Sequence, residues 1–575
     1  MGTEALKMMG DKSMARTVGI GIQDFETILK NGCFYIDKTS FIKEWWEGED
    51  SVTLITRPRR FGKTLNMSML ECFFSLKYKE RSDLFEGLNI WKEEKYRELQ
   101  GNYPVIFLSF ADVKQGNYKD AVKKLKGILA KLYDERHYLA DWEGLTPNER
   151  KHFLSVSSEM DDVTAQDALK NLCDYLSRYY QKKVLIFLDE YDTPMQEAYV
   201  GGYWDEFTEF IRSMFNATFK TNPALERAVM TGITRVSKES VFSDLNNLML
   251  VTTTSNEYAT AFGFTEEEVF HTLDTYGYGD KKEAIKWWYD GFVFGQQKDI
   301  YNPWSIVNFL KQKGKFDTYW ANTSSNKLVS VLLQSSSSET KKKMEKLLRG
   351  DSIIVEMDEQ IIFEQLSRKR NAIWSLLLAS GYLKVDQVEV ASLSGKKSYQ
   401  LSLTNKEVML MFEEMVSDWF NTEDEEYNAF IRSLLKGNVK EMNAYMYEVA
   451  LATFSSFDTG KHPSKKLQPE RFYHGFVLGL LVELRVKYEV ISNGESGYGR
   501  YDVMLCPLKE EEPAFVLEFK VHDEEEEKTL KDTVAAALAQ IEEMQYDTKL
   551  LERGVKPERI RHYGFAFEGK TVLIG

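Results

Sequence analysis

The sequence predicts an α/β protein whose N-terminal half is built around a mostly parallel β-sheet. Across residues 51–260, short apolar segments alternate with longer amphipathic ones, as strands and helices alternate in such sheets. Four strands are expected here, at residues 52–56, 105–110, 184–188 and 228–233. The pattern then becomes mainly helical, and strand-like segments return near the C-terminus. We therefore expect three or four domains in the 575 residues.

The segment LITRPRRFGKT joins the first of these strands to a helix-like stretch. This strand–loop–helix order is that of a phosphate-binding P-loop, in which backbone N–H groups and a helix N-terminus cradle phosphates. Phe61 and Gly62 belong to this loop, Lys63 is expected to reach the β- and γ-phosphates, and the hydroxyl of Thr64 is expected to ligate Mg²⁺. The structural alternative is a basic turn without a ligand.

The loop departs from the general pattern G-x-x-x-x-G-K-[ST] at one position. Arg57 stands where that pattern has glycine, so the loop loses the positive-φ geometries that glycine allows. Arg57, Arg59 and Arg60 are expected to supply phosphate affinity instead, as charge-assisted donors.

Two later strands end in polar side chains. The segment VLIFLDEYD places Asp189 and Glu190 at the C-terminal edge of a buried strand, where open α/β sheets bind ligands. Asp189 is predicted to hold the Mg²⁺ water shell and Glu190 to polarise the attacking water. The strand at 228–233 is followed by Thr234 and Arg235, and it contains Thr231. These residues are candidates to sense the γ-phosphate, although polar residues at strand ends are often only solvated.

Composition excludes several classes of protein. With 43% hydrophobic and 28% charged residues the chain resembles a soluble globular protein, and it has no apolar run of 18 residues that would span a membrane. The first 16 residues lack a signal-peptide core. Four scattered cysteines predict reduced thiols in the cytoplasm and no structural zinc. A net charge of −15 argues against a broad basic surface that coats nucleic acid.

The middle of the chain has the outline of a winged helix. A helix is expected at residues 373–380, followed by Gly381 and by two strands at 382–390 and 398–403. This module contacts duplex DNA in some proteins and packs as a lid in some ATPases, and the sequence leaves both roles open.

The last 150 residues contain a second group of charged side chains. In the apolar strand AFVLEFKV, Glu518 and Lys520 share one face because side chains alternate along a strand. Asp502 precedes them across an expected hairpin. Two carboxylates for a divalent ion, with a lysine to position water or stabilise a phosphate, suit a metal-dependent phosphodiesterase. A cross-strand ion pair on a half-exposed strand is the alternative. Four more residues are supporting candidates: Glu470, His474, Glu495 and Gln540.

These motifs resemble two known families. YIDKT, RPRRFGKT and LDEYD resemble the hallmarks of the predicted AAA-ATPase-like proteins of bacteria, and TGITRVSKESVFSDLNNL, YDGFVFG and YNPWSI also match. GRYD, EFK, the AQI helix and the final YGFAFEGK resemble the PD-(D/E)XK nuclease-superfamily domain that is usually fused to that ATPase. Together the two resemblances cover nearly the whole chain.

The resemblance implies a fold and a set of ligands. A P-loop NTPase core with an AAA-like parallel sheet is expected at residues 1–265, a helical and winged-helix-like region at 266–420, and a restriction-endonuclease-like αβ domain at 421–575. The implied cofactors are ATP and Mg²⁺, with Mn²⁺ as an alternative at the nuclease site. The expected partners are a nucleotide and a nucleic acid, DNA before RNA. The sequence leaves the oligomeric state open, a homo-oligomer included.

Two functions from different classes follow. The first is an ATP-regulated nuclease, in which the nucleotide state of the N-terminal core controls metal-dependent cleavage of nucleic acid. The second is a nucleotide-dependent switch whose nuclease-like domain is inactive and binds a partner. Residues 421–575 hold 20 Lys/Arg against 28 Asp/Glu, and this acidic excess counts against a nucleic-acid substrate because phosphate backbones are repelled by it. The nuclease is nevertheless the function that the motifs favour, and the switch is the alternative.

Overall fold

The computed structural model divides the chain into two compact units. The first contains Met1–Val329 and Ser352–Met409, and the second contains Ser330–Asp351 and Leu410–Gly575. The described residues are 16–234, 242, 245–321, 327–334, 336, 338–348, 350–357, 371–390, 397–418, 426–453, 477, 481, 484, 487–492, 494–509, 511–523, 527–568 and 571–575. The domain boundaries near residues 265 and 420 stay predictions.

A parallel five-stranded sheet forms the centre of the first unit. Its strands are β1 (Val52–Thr56), β2 (Val105–Ser109), β3 (Val184–Asp189), β4 (Leu225–Gly232) and β5 (Leu248–Val251). The spatial order is β2-β3-β4-β1-β5, and every neighbouring pair is parallel. The α/β class with a parallel N-terminal sheet is therefore confirmed. The strand β5 was not predicted from the sequence.

Helices alternate with these strands and continue beyond them. Up to residue 311 they are α1 (Phe25–Lys30), α2 (Ser40–Gly48), α3 (Lys63–Phe74), α4 (Glu94–Arg97), α5 (Tyr118–Asp134), α6 (Pro147–Ser155), α7 (Asp162–Tyr180), α8 (Thr193–Gly201), α9 (Trp204–Phe215), α10 (Glu266–Tyr276), α11 (Lys282–Tyr289) and α12 (Pro303–Lys311). Local capping explains several starts, because Asn117 and Asp161 accept hydrogen bonds from backbone N–H groups of the first turns of α5 and α7. The helix α3 lies against β3 and β2 and carries the loop residues toward the sheet edge.

Two small antiparallel sheets follow the central sheet. The first contains β6 (Phe264–Thr265), β7 (Phe292–Phe294) and β8 (Gln297–Tyr301), in the order β6-β8-β7. The second contains β9 (Ile353–Glu356), β10 (Leu383–Val390) and β11 (Lys397–Leu403), in the order β10-β11-β9. A helix at Ala372–Ala379 precedes β10, so the expected helix and hairpin are present. The winged-helix assignment itself stays a prediction.

The remaining helices are α13 (Lys327–Gln334), α14 (Ser338–Leu348), α15 (Ala372–Ala379), α16 (Lys406–Asp418), α17 (Glu426–Lys436), α18 (Val439–Thr453), α19 (Leu530–Glu543) and α20 (Thr548–Glu552). Among the helices in the described part of the chain, none combines the length and apolar character needed to cross a membrane.

A mixed five-stranded sheet organises the C-terminal unit. Its strands are β12 (Tyr488–Ser492), β15 (Val503–Pro507), β16 (Ala514–Val521), β17 (Ile560–Glu568) and β18 (Thr571–Ile574), in that spatial order, and a small hairpin is formed by β13 (Glu495–Ser496) and β14 (Gly499–Arg500). The strands β16 and β17 are parallel, and the other neighbouring pairs are antiparallel. Apolar side chains from both faces of this sheet form buried clusters.

Candidate functional sites

The loop between β1 and α3 adopts a backbone conformation suited to an anion. Arg60 and Gly62 both have positive φ values, of 65° and 80°, and Gly62 caps the N-terminus of α3. Left-handed residues spaced in this way turn backbone N–H groups toward one concavity, and the helix N-terminus adds its partial positive charge. The strand–loop–helix order is the one that the sequence pattern predicted, and phosphate binding by this loop stays a prediction.

Lys63 and Thr64 open α3 beside this loop. The Lys63 Nζ lies 3.0 Å from the carbonyl oxygens of Arg57 and Pro58 and donates to both, so the ammonium sits over the loop although only 4% of the residue is exposed. The Thr64 hydroxyl donates to Asp189 Oδ2 at 2.7 Å. The loop and the acidic strand end therefore meet, as the sequence analysis expected of both motifs.

Asp189 ends β3 and is 1% exposed. Its Oδ1 accepts a hydrogen bond from the hydroxyl of Thr231 on the neighbouring strand β4. Burial raises the pKa of the Asp189 carboxyl, while the hydrogen bonds from Thr231 and Thr64 act in the opposite direction. A carboxylate beside a threonine hydroxyl offers the oxygen ligands that Mg²⁺ prefers, so these residues fit the predicted metal.

Glu190 directly follows Asp189 in a strained turn. Its φ is 55°, a left-handed value that costs free energy for a residue with a side chain. The Thr193 hydroxyl donates to Glu190 Oε2 at 3.0 Å. Glu190 lines the cavity described next, whereas the carboxylate of Asp189 is buried.

A cavity of about 640 Å³ opens beside the loop. The charged side chains that line it are mainly cationic, with five cations and two carboxylates: Lys38, Arg59, Arg60, Lys63, Lys114, Glu190 and Glu197. Thr64 also lines it. In a chain with a net charge of −15, this local positive excess suits a polyphosphate ligand.

Arg57, which the sequence analysis expected to contact phosphate, does not line this cavity. It is fully buried, and its guanidinium donates to the carbonyl oxygens of Thr56 at 3.0 Å, Thr252 at 2.6 Å and Glu257 at 3.2 Å. It also lies 4.5 Å from the centre of the Phe294 ring. Burial lowers the pKa of this guanidinium. These contacts give Arg57 a structural environment in which it joins the loop to the segment after β5.

Phe61 has a similar core environment. Its ring is buried and packs edge-on against Phe292 at 4.8 Å and Phe294 at 5.4 Å between centroids. The side chain anchors the loop on the small sheet β6-β8-β7.

The two residues after Glu190 organise the end of β4. Asp192 Oδ2 accepts from the backbone N–H groups of Ile233 and Thr234 at 3.0 and 2.8 Å, and from the Thr234 hydroxyl at 2.8 Å. The Tyr191 hydroxyl donates to the Thr234 carbonyl at 2.8 Å. Thr234, a candidate γ-phosphate sensor, is thus engaged by Asp192. Arg235, predicted to bind nucleotide, lies outside the described residues.

Sequence reasoning missed a group of residues that holds the loop from the far side. Asn302 Nδ2 and the indole N–H of Trp320 both donate to the carbonyl oxygen of Arg59, at 3.2 and 2.9 Å. The Arg60 guanidinium lies 4.3 Å from the centre of the Trp304 ring. The YNPW pattern was a usable signal, because Asn302 caps α12 and thereby occupies a fixed position.

The second group of predicted residues lies on one face of the C-terminal sheet. In β16, Phe515, Leu517 and Phe519 join one buried cluster, whereas Val516 joins the cluster on the other face. Glu518 and Lys520 share the face of Val516 by strand alternation. In the neighbouring strand β15, Met504 belongs to the same cluster as Val516. Asp502 comes two residues before Met504, and alternation therefore puts it on the same face.

Hydrogen bonds connect these charged residues. Asp502 Oδ2 accepts a hydrogen bond from the backbone N–H of Phe519 at 2.8 Å. Because Phe519 lies between Glu518 and Lys520 in the sequence, this bond holds the Asp502 carboxylate beside that part of β16. The Gln540 amide on α19 donates to Glu518 Oε1 and accepts from Lys520 Nζ at 2.7 Å. Asp502, Glu518 and Lys520 are therefore brought together. Carboxylate oxygens on this set fit a divalent cation.

The four supporting residues differ in where they lie relative to this group. Gln540, as shown above, touches two predicted site residues, and it also donates to the Tyr546 hydroxyl at 3.1 Å. Glu495 lies in the small hairpin, opposite Arg500. Glu470 and His474 lie outside the described residues. Tyr546 was not predicted, and its hydroxyl donates to the Arg500 carbonyl at 2.7 Å, which ties the hairpin to the site.

Two stretches of the chain match known protein families. Residues 19–242 match the family model described as predicted AAA-ATPase, and residues 468–575 match that of the PD-(D/E)XK nuclease superfamily. The chain therefore contains an AAA-ATPase-like domain followed by a C-terminal domain of the PD-(D/E)XK nuclease superfamily. An uncharacterized protein in the vnfD 5′ region of Azotobacter chroococcum mcd 1 is 25% identical over 391 residues, which are 68% of this chain and 67% of that protein.

Proposed function

We propose that the chain hydrolyses ATP at the loop between β1 and α3 and cleaves nucleic acid phosphodiesters at Asp502, Glu518 and Lys520. The hydrogen bond from Thr64 to Asp189, in a cationic cavity beside Lys63, carries the first half of the proposal. The second half is supported by the Gln540 amide, which joins Glu518 to Lys520.

Each residue of the nucleotide site has a role that its contacts support. Lys63 exchanges the carbonyl oxygens of Arg57 and Pro58 for phosphate oxygens, since its ammonium already lies over the loop. Arg59 and Arg60 line the same cavity and add positive charge. Thr64 and Asp189 would hold Mg²⁺, which neutralises charge on the β- and γ-phosphates when bound.

Glu190 is the residue we assign to the attacking water. It lines the cavity and is held by the Thr193 hydroxyl, so its carboxylate is positioned to orient the water and accept its proton. Asp189 is less suited to this task, because both of its oxygens accept hydrogen bonds from threonine hydroxyls.

In the nuclease-like domain, Asp502 and Glu518 would hold the divalent ion, which activates water and stabilises the pentacoordinate phosphate when bound. Gln540 holds the Glu518 carboxylate and the Lys520 ammonium next to each other through hydrogen bonds to both. Lys520 then positions the water or donates to a phosphate oxygen.

The nucleotide half is tested by equilibrium binding and hydrolysis of ATP. Lys63→Ala should abolish binding of a fluorescent ATP analogue, and Glu190→Gln should retain binding while hydrolysis falls by about 100-fold or more. Lys298→Ala, at an exposed position on β8, is the matched control for loss of a cation. Unchanged affinity in Lys63→Ala would mean that the loop is not the phosphate site.

The nuclease half is tested by degradation of DNA and RNA with Mg²⁺ or Mn²⁺, with and without ATP. Asp502→Ala and Glu518→Ala should remove cleavage while ATP hydrolysis persists, and Lys520→Ala should impair cleavage more than metal binding. Glu558→Ala is the control for loss of an acidic side chain. Glu558 is exposed and lies just before β17, whose first residues pair with the start of β16 and not with Glu518. If the wild type hydrolyses ATP but cleaves neither nucleic acid, the switch with an inactive nuclease-like domain becomes the better account.

A further inference from the structure

Glu407 is a buried carboxylate that the proposed chemistry does not use. It lies in the first turn of α16 and is 1% exposed. Its Oε2 accepts from the Ser305 hydroxyl at 2.8 Å. Its Oε1 accepts from the backbone N–H of Trp320 and, at 3.4 Å, from that of Ala321. Burying a carboxylate is costly, and this set of donors offsets the cost.

Both oxygens of Glu407 hold segments that reach the phosphate-binding loop. Ser305 lies in the first turn of α12, and the cap of that helix, Asn302, donates through Nδ2 to the Arg59 carbonyl oxygen. Trp320 donates to the same oxygen through its indole N–H. One carboxylate therefore anchors the two segments whose N–H groups converge on a single carbonyl oxygen of the loop.

That carbonyl belongs to the peptide group just before a strained residue. Arg60 has a φ of 65°, and the left-handed conformation costs free energy for a residue with a Cβ. Such strain persists only where surrounding contacts impose it. The two donors fix the orientation of the 59–60 peptide, and the stacking of Arg60 on Trp304 holds the side chain.

The Trp320 ring is itself held in place. It is 3% exposed and lies 5.3 Å from the Phe292 ring and 5.5 Å from the Tyr382 ring, between centroids. Packing fixes the plane of the indole, and Glu407 fixes the backbone that carries it. The direction of the indole N–H toward the loop thus depends on both.

We propose that Glu407 is a positioning residue for the nucleotide site, acting through Trp320 and Ser305 on the Arg59 carbonyl to keep the loop in its phosphate-binding conformation. The inference rests on the proposed function of this loop. It assigns to α16 a part in ATP binding, although Glu407 does not line the cavity.

The test is a double-mutant cycle on nucleotide affinity. We expect Trp320→Phe, which removes the indole N–H and keeps an aromatic ring, to weaken binding of a fluorescent ATP analogue by roughly 5- to 10-fold. Glu407→Ala should weaken it by about 10-fold. In the double variant the two effects should not multiply, because both changes release the same carbonyl oxygen.

Two further variants separate positioning from general stability. Glu407→Gln keeps an acceptor for Trp320 and can donate to Ser305, so its affinity should stay within about 2-fold of the wild type. Trp45→Phe also removes a buried indole N–H, which donates to the Thr53 hydroxyl at 3.2 Å, away from the Arg59 carbonyl, and it should leave affinity unchanged. Urea unfolding of each variant shows that binding is measured on folded protein.

The outcomes distinguish this inference from the proposed function. If Lys63→Ala abolishes binding while Trp320→Phe binds like Trp45→Phe, the loop binds nucleotide and the positioning role is refuted. Fully multiplicative effects of the Glu407→Ala and Trp320→Phe changes refute it as well. If the wild type fails to bind the analogue, the proposed function fails and the inference falls with it.

Discussion

Replacing Arg57 with glycine restores the residue of the general loop pattern, and we expect it to destabilise the first unit without tightening ATP binding. The guanidinium donates to three carbonyl oxygens, those of Thr56, Thr252 and Glu257, and lies over the Phe294 ring. The glycine variant loses these contacts and leaves an empty space at a fully buried position.

Two contributions set the size of this effect. A buried carbonyl group that loses its donor costs about 1–3 kcal/mol, and removal of a large buried side chain costs about 2–5 kcal/mol. Part of this loss is offset, because the variant no longer buries a charge. The free energy of unfolding should therefore fall by about 4 kcal/mol, which is in the range of severe core substitutions.

Urea unfolding followed by tryptophan fluorescence measures this loss, and titration with a fluorescent ATP analogue measures affinity. Arg57→Met is a matched variant, because it fills much of the space without donating hydrogen bonds, and its stability should lie between those of the wild type and Arg57→Gly. Wild-type stability in Arg57→Gly, or tighter nucleotide binding by it, would refute the structural role of Arg57.

Three further changes have defined outcomes. Gln540→Ala should lower nuclease activity about 10-fold or more, because Glu518 and Lys520 lose their common partner, and metal-dependence curves with Mn²⁺ would show whether ion affinity falls too. Burial raises the pKa of Glu407 to about 7, above its unfolded value, so its contribution to stability is present below pH 4.5 and is lost as the pH rises to 7. Relative to Glu407→Gln, the free energy of unfolding of the wild type should fall by on the order of 3 kcal/mol between pH 4.5 and about pH 7, as measured by urea unfolding at each pH. Gly381→Ala should lower both the free energy of unfolding and the affinity for the ATP analogue. The φ of Gly381 is 82°, and the added Cβ would lie 2.7 Å from Cγ of Pro58 in the loop. Wild-type values for both quantities would contradict this.

Local sequence signals located the elements that carry both sites. The apolar run before RPRRFGKT and the helix-forming run after it are contiguous, so β1, the loop and α3 could be predicted together. Alternation along a strand likewise put Glu518 and Lys520 on one face, and the clusters on the two faces of β16 agree with that alternation. Such patterns depend only on residues within one or two elements.

Contacts between distant segments account for what the sequence did not predict. The Thr252 carbonyl that binds Arg57 lies 195 residues away, and the Trp320 indole lies 261 residues from the Arg59 carbonyl it contacts. A loop rich in arginine predicts affinity for phosphate by composition, and only the fold separates Arg57, which is buried on carbonyl oxygens, from Arg59 and Arg60, which line the cavity. The sequence motif therefore identifies the loop, but it predicts phosphate contact for all three arginines alike.

The acidic excess of the C-terminal unit has to be judged by position as well. Glu511 and Glu512 lie in the turn between β15 and β16, six or more residues before Glu518. β16 begins at Ala514, and the four residue steps from there to Glu518 span about 13 Å at about 3.3 Å per residue. That distance exceeds the Debye length of about 8 Å at physiological ionic strength, so their charge is largely screened at the site. Glu527 follows the other end of β16, and its carboxylate accepts from the Thr533 hydroxyl and lies 3.3 Å from His522. Glu511, Glu512 and Glu527 therefore contribute little charge at Glu518, and their part of the acidic excess does not argue against the proposed contact with nucleic acid.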